Sequence, residues 1–399
     1  MVSAADTASD SAVLVLNAGS SSLRYELVDA GSGERSARGR IDPIGDAEAR
    51  HRHGVGEDDG VARPVRVSSY DDAVRLMFDA FAADGPSLEH VVGVGHRVVH
   101  GGATFTGPVV VDPDVVDAIE SLVPLAPLHN PAALACIRAV SARLTGTTQV
   151  AVFDTSFHAT VPDAATAFAL PREVVEPHGL RRYGFHGTSV EYVVGRTAEL
   201  LGRAVSATSL VVCHLGNGAS VTAVRNGVSI DTSMGFAPLG GLVMGTRSGD
   251  VDAAVVLYLI DQAGMPVSEV EDLLNRRSGL LALAGDSDMH RVRARAEQGD
   301  ADAVRAVALV AHRIRAYVGA AVAQLPDLDA LVFTGGIGEH DAALRDEVTR
   351  PLAHLPIPCV LVVPTDEEHQ IAVHTLALVN QPAQAHTQPK DTHVDHPAA

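Results

Sequence analysis

A pattern that occurs twice, about half the chain apart, constrains the fold most strongly. Residues 13–28 read VLVLNAGSSSLRYELV, an apolar run followed by a Gly/Ser turn and an alternation of apolar and polar residues. Residues 210–224, LVVCHLGNGASVTAV, repeat this scheme. Each pattern is typical of a strand, a tight turn and a second strand. The repeat predicts two halves with one topology; a chance coincidence of two glycine-rich hairpins is the alternative.

Around these hairpins, apolar runs alternate with helical patterns, which predicts an α/β fold with central sheets. Buried strands are expected at 91–99, 149–153, 331–334 and 360–363. Helices are expected at 70–82, 113–122, 131–144, 188–201, 250–263, 267–275, 301–324 and 366–378. The polar stretch 47–66 is predicted to be a surface loop. Residues 1–10 and 381–399 lack apolar periodicity and are predicted to be disordered tails.

The composition of the chain restricts which partners the protein can bind. The chain has 30 Lys plus Arg against 49 Asp plus Glu, a net charge of −19, which argues against nucleic acid as a partner. No apolar run approaches the roughly 18 residues of a membrane span, and no basic leader opens the chain. We therefore expect a cytoplasmic protein that binds no membrane. Three distant cysteines without a CxxC pair indicate neither a disulfide framework nor a zinc site.

The near absence of lysine excludes several classes of catalytic and nucleotide-binding site. Lysine occurs once, at Lys390, so every other basic residue is an arginine. A P-loop, a Schiff-base enzyme and an SxxK acyl enzyme each need a lysine inside the fold. These classes are excluded, and the absence of GxSxG and HExxH argues against serine hydrolases and zinc proteases.

Three strands are predicted to end in glycine-rich polar turns, at 17–22, 214–220 and 334–339. Backbone N–H groups in such turns can converge on a phosphate, and Ser or Asn adds neutral donors. A single loop of this kind is also typical of a tight hairpin, but three together predict a polyphosphate site. The candidate residues are Asn17, Ser20, Ser22, His214, Gly216, Asn217, Gly218, Gly335, Gly336 and Gly338.

Two arginines and one histidine lie beside glycines, where the chain can approach a ligand closely. Arg97 lies in GHRVVHGG, Arg247 in MGTRSGD and His186 in RRYGFHGT, just before a predicted helix. A guanidinium can bind a carboxylate or phosphoryl group through two hydrogen bonds, and a histidine there can stabilise developing charge. The alternatives are a surface arginine paired with an acid such as Asp250, and a capping or core histidine.

Two acidic residues lie at the ends of predicted secondary-structure elements. Asp154 follows the strand predicted at 149–153, and Glu367 opens the last predicted helix. Carboxylate oxygens are ligands that Mg²⁺ prefers. An acid in a first helical turn also stabilises the helix dipole, which is the alternative for Glu367.

Nine segments in order resemble the acetate kinases, a family of the acetate and sugar kinase, Hsp70 and actin superfamily. They span residues 13 to about 378 and read VLVLNAGSSSLRYELV, GHRVVHGG, LAPLHNP, VFDTSFHATVP, RRYGFHGTS, HLGNGAS, MGTRSGD, FTGGIGE and PTDEE. The resemblance implies a duplicated actin-like ATPase (ribonuclease H-like) fold with two mixed five-stranded sheets, flanking helices and an interdomain cleft. It implies a first domain at 11–155 plus a C-terminal helix at about 367–380, and a second at 156–366.

The resemblance also implies a homodimer that transfers the γ-phosphoryl group of ATP to acetate, reversibly, giving acetyl phosphate and ADP with Mg²⁺ (Mn²⁺ being possible). By the same resemblance, Asn17 and Glu367 belong to the metal site and His129 is an auxiliary group. The catalytic residues it implies are Arg97, Asp154, His186 and Arg247. The residues it implies around the substrate are Arg97, Val99, Leu128, Phe185 and Pro238.

Three positions depart from the family pattern: Arg24 replaces a common Lys, His290 a common Arg and His340 a common Asn. Arg24 keeps a cation near the phosphates, but His290 and His340 fall in the implied adenosine pocket. Asp288 and Gly336 are therefore the remaining adenosine candidates, and the nucleotide base preference stays open.

Two alternatives to an acetate kinase stay open. One is a propionate or butyrate kinase of the same family, since one methylene changes binding by only about 1–3 kcal/mol. The other is a non-catalytic, nucleotide-gated binding protein on the same fold.

Overall fold

The computed structural model describes residues 11–46 and 48–381. The predicted tails, 1–10 and 381–399, lie outside the described residues except for Gln381, so their disorder stays a prediction.

Two mixed sheets form the centre of the molecule, one in each half of the chain. The first contains β1 (Ala12–Ala18), β2 (Leu23–Asp29), β3 (Arg35–Asp42), β4 (Arg50–Val55), β5 (Arg63–Pro64), β6 (Val91–Val98), β7 (Val109–Val110) and β8 (Thr148–Phe153). The second contains β9 (Leu210–Leu215), β10 (Ala219–Arg225), β11 (Val228–Thr232), β12 (Ala330–Thr334) and β13 (Val360–Val362).

The two sheets share one topology. The order β3-β2-β1-β6-β8 in the first matches β11-β10-β9-β12-β13 in the second. In both, the hairpin strands are antiparallel and the later strands join in parallel. The prediction of two halves with one topology is confirmed, and both glycine-rich hairpin turns lie at corresponding positions.

The prediction of a loop at 47–66 is wrong, because β4 and β5 extend the first sheet at one edge while β7 extends the other. This sheet therefore has eight strands around its five-stranded centre. The sequence of β4 is polar, but its residues alternate between solvent-facing and inward-facing positions. His51 and His53 face inward and hydrogen-bond the buried Tyr25 hydroxyl at 2.8 and 2.9 Å. Apolar periodicity could not detect a strand whose inward residues are histidines.

Fourteen helices are described. They are α1 (Tyr70–Asp84), α2 (Pro113–Ser121), α3 (Asn130–Ser141), α4 (Asp163–Thr166), α5 (Arg172–Val175), α6 (Gly187–Leu200), α7 (Ala253–Asp261), α8 (Val267–Arg276), α9 (Gly279–Ala284), α10 (Met289–Glu297), α11 (Ala301–Ala323), α12 (Gly335–His340), α13 (Ala342–Thr349) and α14 (Glu367–Val379). Several begin at capping side chains: Ser69 accepts from Asp72 N and Asp366 from His369 N. The predicted long helices are confirmed to within a few residues.

Alternate residues of the central strands pack on opposite faces. In β1, Leu14 and Leu16 pack with α1 and α3, while Val13 and Val15 pack with α14. In β9, the two faces contact α11 and α6. Glycine on β6 lets α14 approach, because a Cβ at Gly93 would lie 2.7 Å from Val379 Cγ2. Helix α14 therefore packs against the first sheet. Its first residue, Glu367, lies beside Asn17 of β1 and Arg97 of β6.

Among the helices of the described residues, α11 alone is long and apolar enough to cross a membrane by length and composition. Its apolar face, which includes Val307, Val310 and Ile314, is buried against the second sheet. Such burial is typical of the core helix of a globular domain.

Buried neutral histidines predict that the protein loses stability in acid. Burial lowers the pKa to about 4 at each of five histidines: His51, His96, His100, His129 and His158. Unfolding restores a pKa near 6.5, so their stabilising contribution is full above pH 6.5 and declines toward pH 4. The two fully buried ones, His96 and His158, together account for about 3 kcal/mol per pH unit between pH 6 and 4.

Glu26, Asp154 and Glu368 act in the opposite direction, because burial raises the pKa of each carboxyl. They are fewer than the histidines, since burial also lowers the pKa of His53, His186 and His214. The midpoint of thermal unfolding, measured at constant ionic strength, should therefore fall steeply from pH 7 to pH 5. His178→Asn, at an exposed site, should leave that profile unchanged. A midpoint that is flat over this range would contradict the prediction.

Candidate active site

Three predicted site residues converge because neighbouring strands end at the same edge of the first sheet. Asn17 lies near the end of β1, Arg97 near the end of β6, and Asp154 directly after β8. Arg97 Nη1 donates to Asn17 Oδ1 at 3.0 Å. Arg97 Nε and Nη2 donate to the Asp154 carboxylate at 2.9 and 2.6 Å. The first sheet thus contributes a buried cation held in place by a carboxylate and an amide.

The pair of Arg97 and Asp154 is shielded from solvent, with side chains 18% and 2% exposed. Burial opposes the charge on Arg97, but Asp154 and then Glu367 outweigh it and raise its pKa. Burial acts to raise the pKa of Asp154, and the contacts to Arg97 oppose that rise. Both carboxylate oxygens accept from the guanidinium, so Asp154 fixes the orientation of Arg97.

The N-terminus of α14 contributes a pair of glutamates. Asn17 Nδ2 donates to Glu368 Oε1 at 2.8 Å and to Glu367 Oε2 at 3.4 Å. Burial and then Glu367 raise the pKa of Glu368. Burial also acts to raise the pKa of Glu367, but Arg97, His214, Arg24 and Asn17 together outweigh it and lower that pKa. Sequence reasoning identified Glu367 and missed Glu368, although the two are adjacent.

This donor set fits a magnesium ion that arrives with phosphate ligands. Mg²⁺ is usually held by one or two carboxylates, waters and substrate phosphates rather than by an all-protein cage. Two carboxylates, Glu367 and Glu368, face the cavity. No cluster of three or more His, Cys, Asp or Glu side chains that could hold a metal ion occurs in residues 11–46 and 48–381.

Arg247 is a partly buried cation without an acidic partner among the described residues. Its Nη1 donates to the Pro238 carbonyl at 2.9 Å. Burial and then Arg97 lower its pKa. Asp250, the partner that the alternative interpretation required, instead accepts from Gly241 N at 2.7 Å and from the Tyr317 hydroxyl. Two arginine side chains close enough to repel each other form a site for an anion.

His186 lies at the N-terminus of α6 with φ of 61°. His186 and Asn226 are the only non-glycine residues of the described chain with positive φ, and such a conformation often marks a functional position. Its Nδ1 contacts Ser220 Oγ at 3.0 Å, and its ring stacks on His214 at 4.2 Å. A Cβ at Gly218 would lie 2.9 Å from His186 Nε2, so this glycine makes the approach possible.

The electrostatic surroundings keep His186 neutral. Burial and then the neighbouring His214 lower its pKa well below the usual value, and Arg97 and Arg247 act in the same direction. A neutral imidazole with Nδ1 against Ser220 leaves Nε2 as the atom that faces Gly218 and the arginines. His186 can therefore donate one hydrogen bond to an anion held between Arg97 and Arg247.

The residues predicted around the substrate lie near the two arginines. Val99 and Phe185 are buried in one apolar cluster, and the Pro238 carbonyl contacts Arg247. Leu128 directly precedes His129, whose pKa is lowered by burial and then by Arg247 and Arg97. We call Val99, Leu128, Phe185 and Pro238 the apolar patch.

A cavity of about 920 Å³ lies beside this centre, between the second sheet, α10 and the start of α14. Eight predicted residues line it: Arg24, His214, Gly216, Asn217, Asp288, Gly335, Gly336 and Glu367. The departures His290 and His340 also line it, as do Ser287, Ile337, Thr365 and Glu368, which sequence reasoning missed.

Several predicted cofactor residues do not line the cavity. Gly338 is buried beneath it, and Gly218 lies instead against His186. Ser20 and Ser22 lie in the turn between β1 and β2. Their binding roles, like those of the other site residues, stay predictions.

Two sheets of one topology and a cleft that gathers glycine turns, arginines and carboxylates define the class of protein: a phosphotransferase with a carboxyl acceptor on the duplicated actin-like ATPase fold. The chain matches the model of the acetokinase family over residues 12–359. It belongs to the acetokinase family.

Relatives agree with this assignment over nearly their whole length. An acetate kinase of Leifsonia xyli subsp. xyli is 49% identical, covering 92% of this chain and 99% of the relative, and one of Streptomyces coelicolor is 43% identical, covering 94% and 98%. Among solved structures, an acetate kinase of Porphyromonas gingivalis has a TM-score of 0.86 at 37% identity, covering 93% and 100%. A propionate kinase of Francisella tularensis has a TM-score of 0.87 at 37% identity, covering 92% and 99%.

Proposed function

We propose that the chain is an acetate kinase that transfers the γ-phosphoryl group of ATP to acetate, reversibly, to give acetyl phosphate and ADP. The observation that carries the proposal is the partly buried Arg247, which pairs with no acid of the described residues. Its Nη1 and His186 Nε2 lie on the same side of Gly218, 3.6 and 2.9 Å from where a Cβ would be. A site with two arginines and one neutral imidazole suits two anions that must approach each other. The names of the relatives favour acetate over propionate as the acceptor.

The mechanism needs no general base, because a carboxylate is already nucleophilic at neutral pH. Catalysis then depends on in-line positioning and on neutralising charge at the equatorial phosphoryl oxygens. Arg97, held by Asp154, binds the acid; Arg247 bridges acid and phosphoryl group; His186 Nε2 donates to the transferring group. The apolar patch contacts the methyl group.

We assign the cavity of about 920 Å³ to the nucleotide. Gly216, Gly335 and Gly336 line it and let the backbone approach the phosphates closely, and Arg24 adds a cation. Glu367 and Glu368 would hold Mg²⁺ through their carboxylates. When bound, Mg²⁺ neutralises charge on the β- and γ-phosphate oxygens. Mn²⁺ prefers similar oxygen ligands and can substitute.

The proposal is tested by incubating the protein with acetate, ATP, Mg²⁺ and hydroxylamine, which traps acetyl phosphate as a hydroxamate. We expect hydroxamate that depends on every component and that disappears with EDTA. Nucleotide binding without hydroxamate from any short acid would instead favour a non-catalytic binding protein.

The acceptor is tested with acetate, propionate and butyrate under the same conditions. We expect kcat/KM to be highest for acetate, because relatives that match this chain over nearly their whole length are acetate kinases. A kcat/KM that rises with chain length would replace acetate by propionate or butyrate as the assigned substrate. Repeating the series with GTP measures the base preference that His290 and His340 leave open.

We also propose that the protein is a homodimer joined through α7. This helix is strongly apolar in sequence, yet none of its residues is buried, and Leu257 and Tyr258 are 66% and 62% exposed. Val251 and Val267 extend the exposed apolar surface on either side. A contiguous apolar surface of this kind is typical of a protein–protein interface.

Leu257→Arg should therefore convert the dimer into a monomer in solution, since it would bury an unpaired charge in the interface. Light scattering after size exclusion measures the mass directly. Leu200→Arg is the matched control, because Leu200 is 62% exposed at the end of α6; it should remain dimeric. A dimeric Leu257→Arg variant would place the interface elsewhere.

The two-domain division, at 11–155 plus about 367–380 and at 156–366, also belongs to this proposal. Residues of both halves of the chain line the cavity, which supports closure of the two domains around the substrates; closure would exclude water and suppress ATP hydrolysis. The acidic composition supports a cytoplasmic enzyme that binds neither nucleic acid nor membrane.

A further inference from the structure

The carboxylate of Glu339 joins two segments that the proposed reaction must hold together. Its Oε1 accepts from Gly335 N at 3.0 Å and from Thr365 N at 3.2 Å. Gly335 begins the glycine turn after β12, and Thr365 lies two residues before Glu367. One oxygen atom therefore ties the glycine turn to the segment that places the glutamate pair.

From Thr365 a chain of hydrogen bonds continues to the histidines. Thr365 Oγ1 contacts Ser189 Oγ at 2.7 Å, and Ser189 Oγ contacts His214 Nδ1 at 2.7 Å. Ser189 is fully buried, so these two groups are its hydrogen-bond partners. His214 stacks on His186, with ring centroids 4.2 Å apart and an interplanar angle of 23°.

The direction of the hydrogen bonds follows from what His214 must do at the cavity. Its Nε2 lies toward the turn at Gly216, where a Cβ would be 3.8 Å away. To donate to a phosphate oxygen, Nε2 must carry the proton, so Nδ1 must accept. Ser189 then donates to His214 Nδ1, and Thr365 donates to Ser189.

We propose that Glu339, Thr365 and Ser189 are positioning residues, which couple the glycine turn to the glutamate pair and hold His214 in the tautomer that donates from Nε2. This inference rests on the proposed function and deepens it. None of the three needs to touch the reacting atoms; each acts through Gly335, Glu367 or His214. The side chains come from α12, the loop before α14, and α6, so the network links the second sheet to the segment that leads into α14, which packs on the first sheet.

Paired substitutions test the network. Thr365→Val removes the hydroxyl at nearly constant shape, and Thr365→Ser keeps it. We expect kcat to fall about tenfold in Thr365→Val, as for the loss of one net hydrogen bond, with the KM for acetate unchanged. The thermal midpoint should be only a few degrees lower, because the buried Ser189 loses one hydrogen-bond partner. Thr365→Ser should stay within about threefold of wild type. Thr349→Val is the control, because its hydroxyl bonds within α13 at 2.8 Å.

A second pair tests Glu339. Glu339→Gln keeps an acceptor oxygen and should bind ADP nearly as wild type, whereas Glu339→Ala should weaken ADP about tenfold in calorimetry and lower kcat. Equal behaviour of Thr365→Val and Thr365→Ser, or of Glu339→Ala and Glu339→Gln, in a wild-type protein that forms hydroxamate would overturn the network alone. A wild-type protein that forms none would overturn the proposed function instead, and the ADP measurements would still separate the Glu339 variants.

Discussion

Arg247→Ala is expected to lower kcat by a factor of about 10³ while leaving the folded protein at least as stable as wild type. The loss of activity follows from the proposed position of Arg247 between the acid and the transferring group. An arginine that stabilises charge in a phosphoryl-transfer transition state contributes about 10³ to 10⁵ in rate.

The stability expected of the Arg247→Ala variant follows from the surroundings of the Arg247 side chain. Arg247 donates to a neutral carbonyl, Pro238 O, and no acid of the described residues pairs with it. Burial and repulsion by Arg97 lower its pKa, so the charge is held at a cost in free energy. Removing the cation removes that cost, and sites of this kind commonly exchange stability for function.

Steady-state kinetics and thermal unfolding of the same preparation measure the two effects. Arg225→Ala, at an exposed position at the end of β10, should change neither. Arg247→Lys should recover only a small part of the activity, because an ammonium lacks the planar fork of a guanidinium. A thermal midpoint for Arg247→Ala well below wild type would show that Arg247 has a structural partner.

The sequence predicted those site residues whose position follows from local pattern. Asn17, Arg97 and Asp154 come at the ends of apolar strands, and parallel strands bring their ends together at one edge. The repeat of the glycine-rich hairpin likewise predicted the shared topology of the two sheets. These features depend on residues close in sequence, so the local pattern of apolar and polar residues is sufficient to predict them.

Features that depend on distant partners could not be predicted in this way. Glu368 is distinguished from any other acid of a first helical turn by its bond to Asn17, far away in sequence. Ser189 and Thr365 meet through the packing of α6 against α14. Strand β4 was not predicted, because its inward-facing residues are histidines. Their hydrogen-bond partner, the Tyr25 hydroxyl, lies on β2, far away in sequence.

The pair of Arg97 and Asp154 provides the opposite case, in which function and stability decline together. Arg97→Ala should destabilise the protein by about 3–5 kcal/mol, because it leaves a carboxylate that is 2% exposed without its cation. Asp154→Asn should cost less, since Arg97 keeps Asn17 Oδ1 at 3.0 Å and Glu367 Oε2 at 3.9 Å. Both variants should lose most of their activity.

The double variant Arg97→Met with Asp154→Asn separates the two roles. It removes both charges together, so its thermal midpoint should recover toward wild type, because neither charge is left without its partner. Its turnover should remain as low as that of the single variants, since the acid has lost its guanidinium. If Arg97→Ala unfolded at the wild-type temperature, the ion pair would have no structural role, and Asp154 would act on the reaction through some route other than holding Arg97.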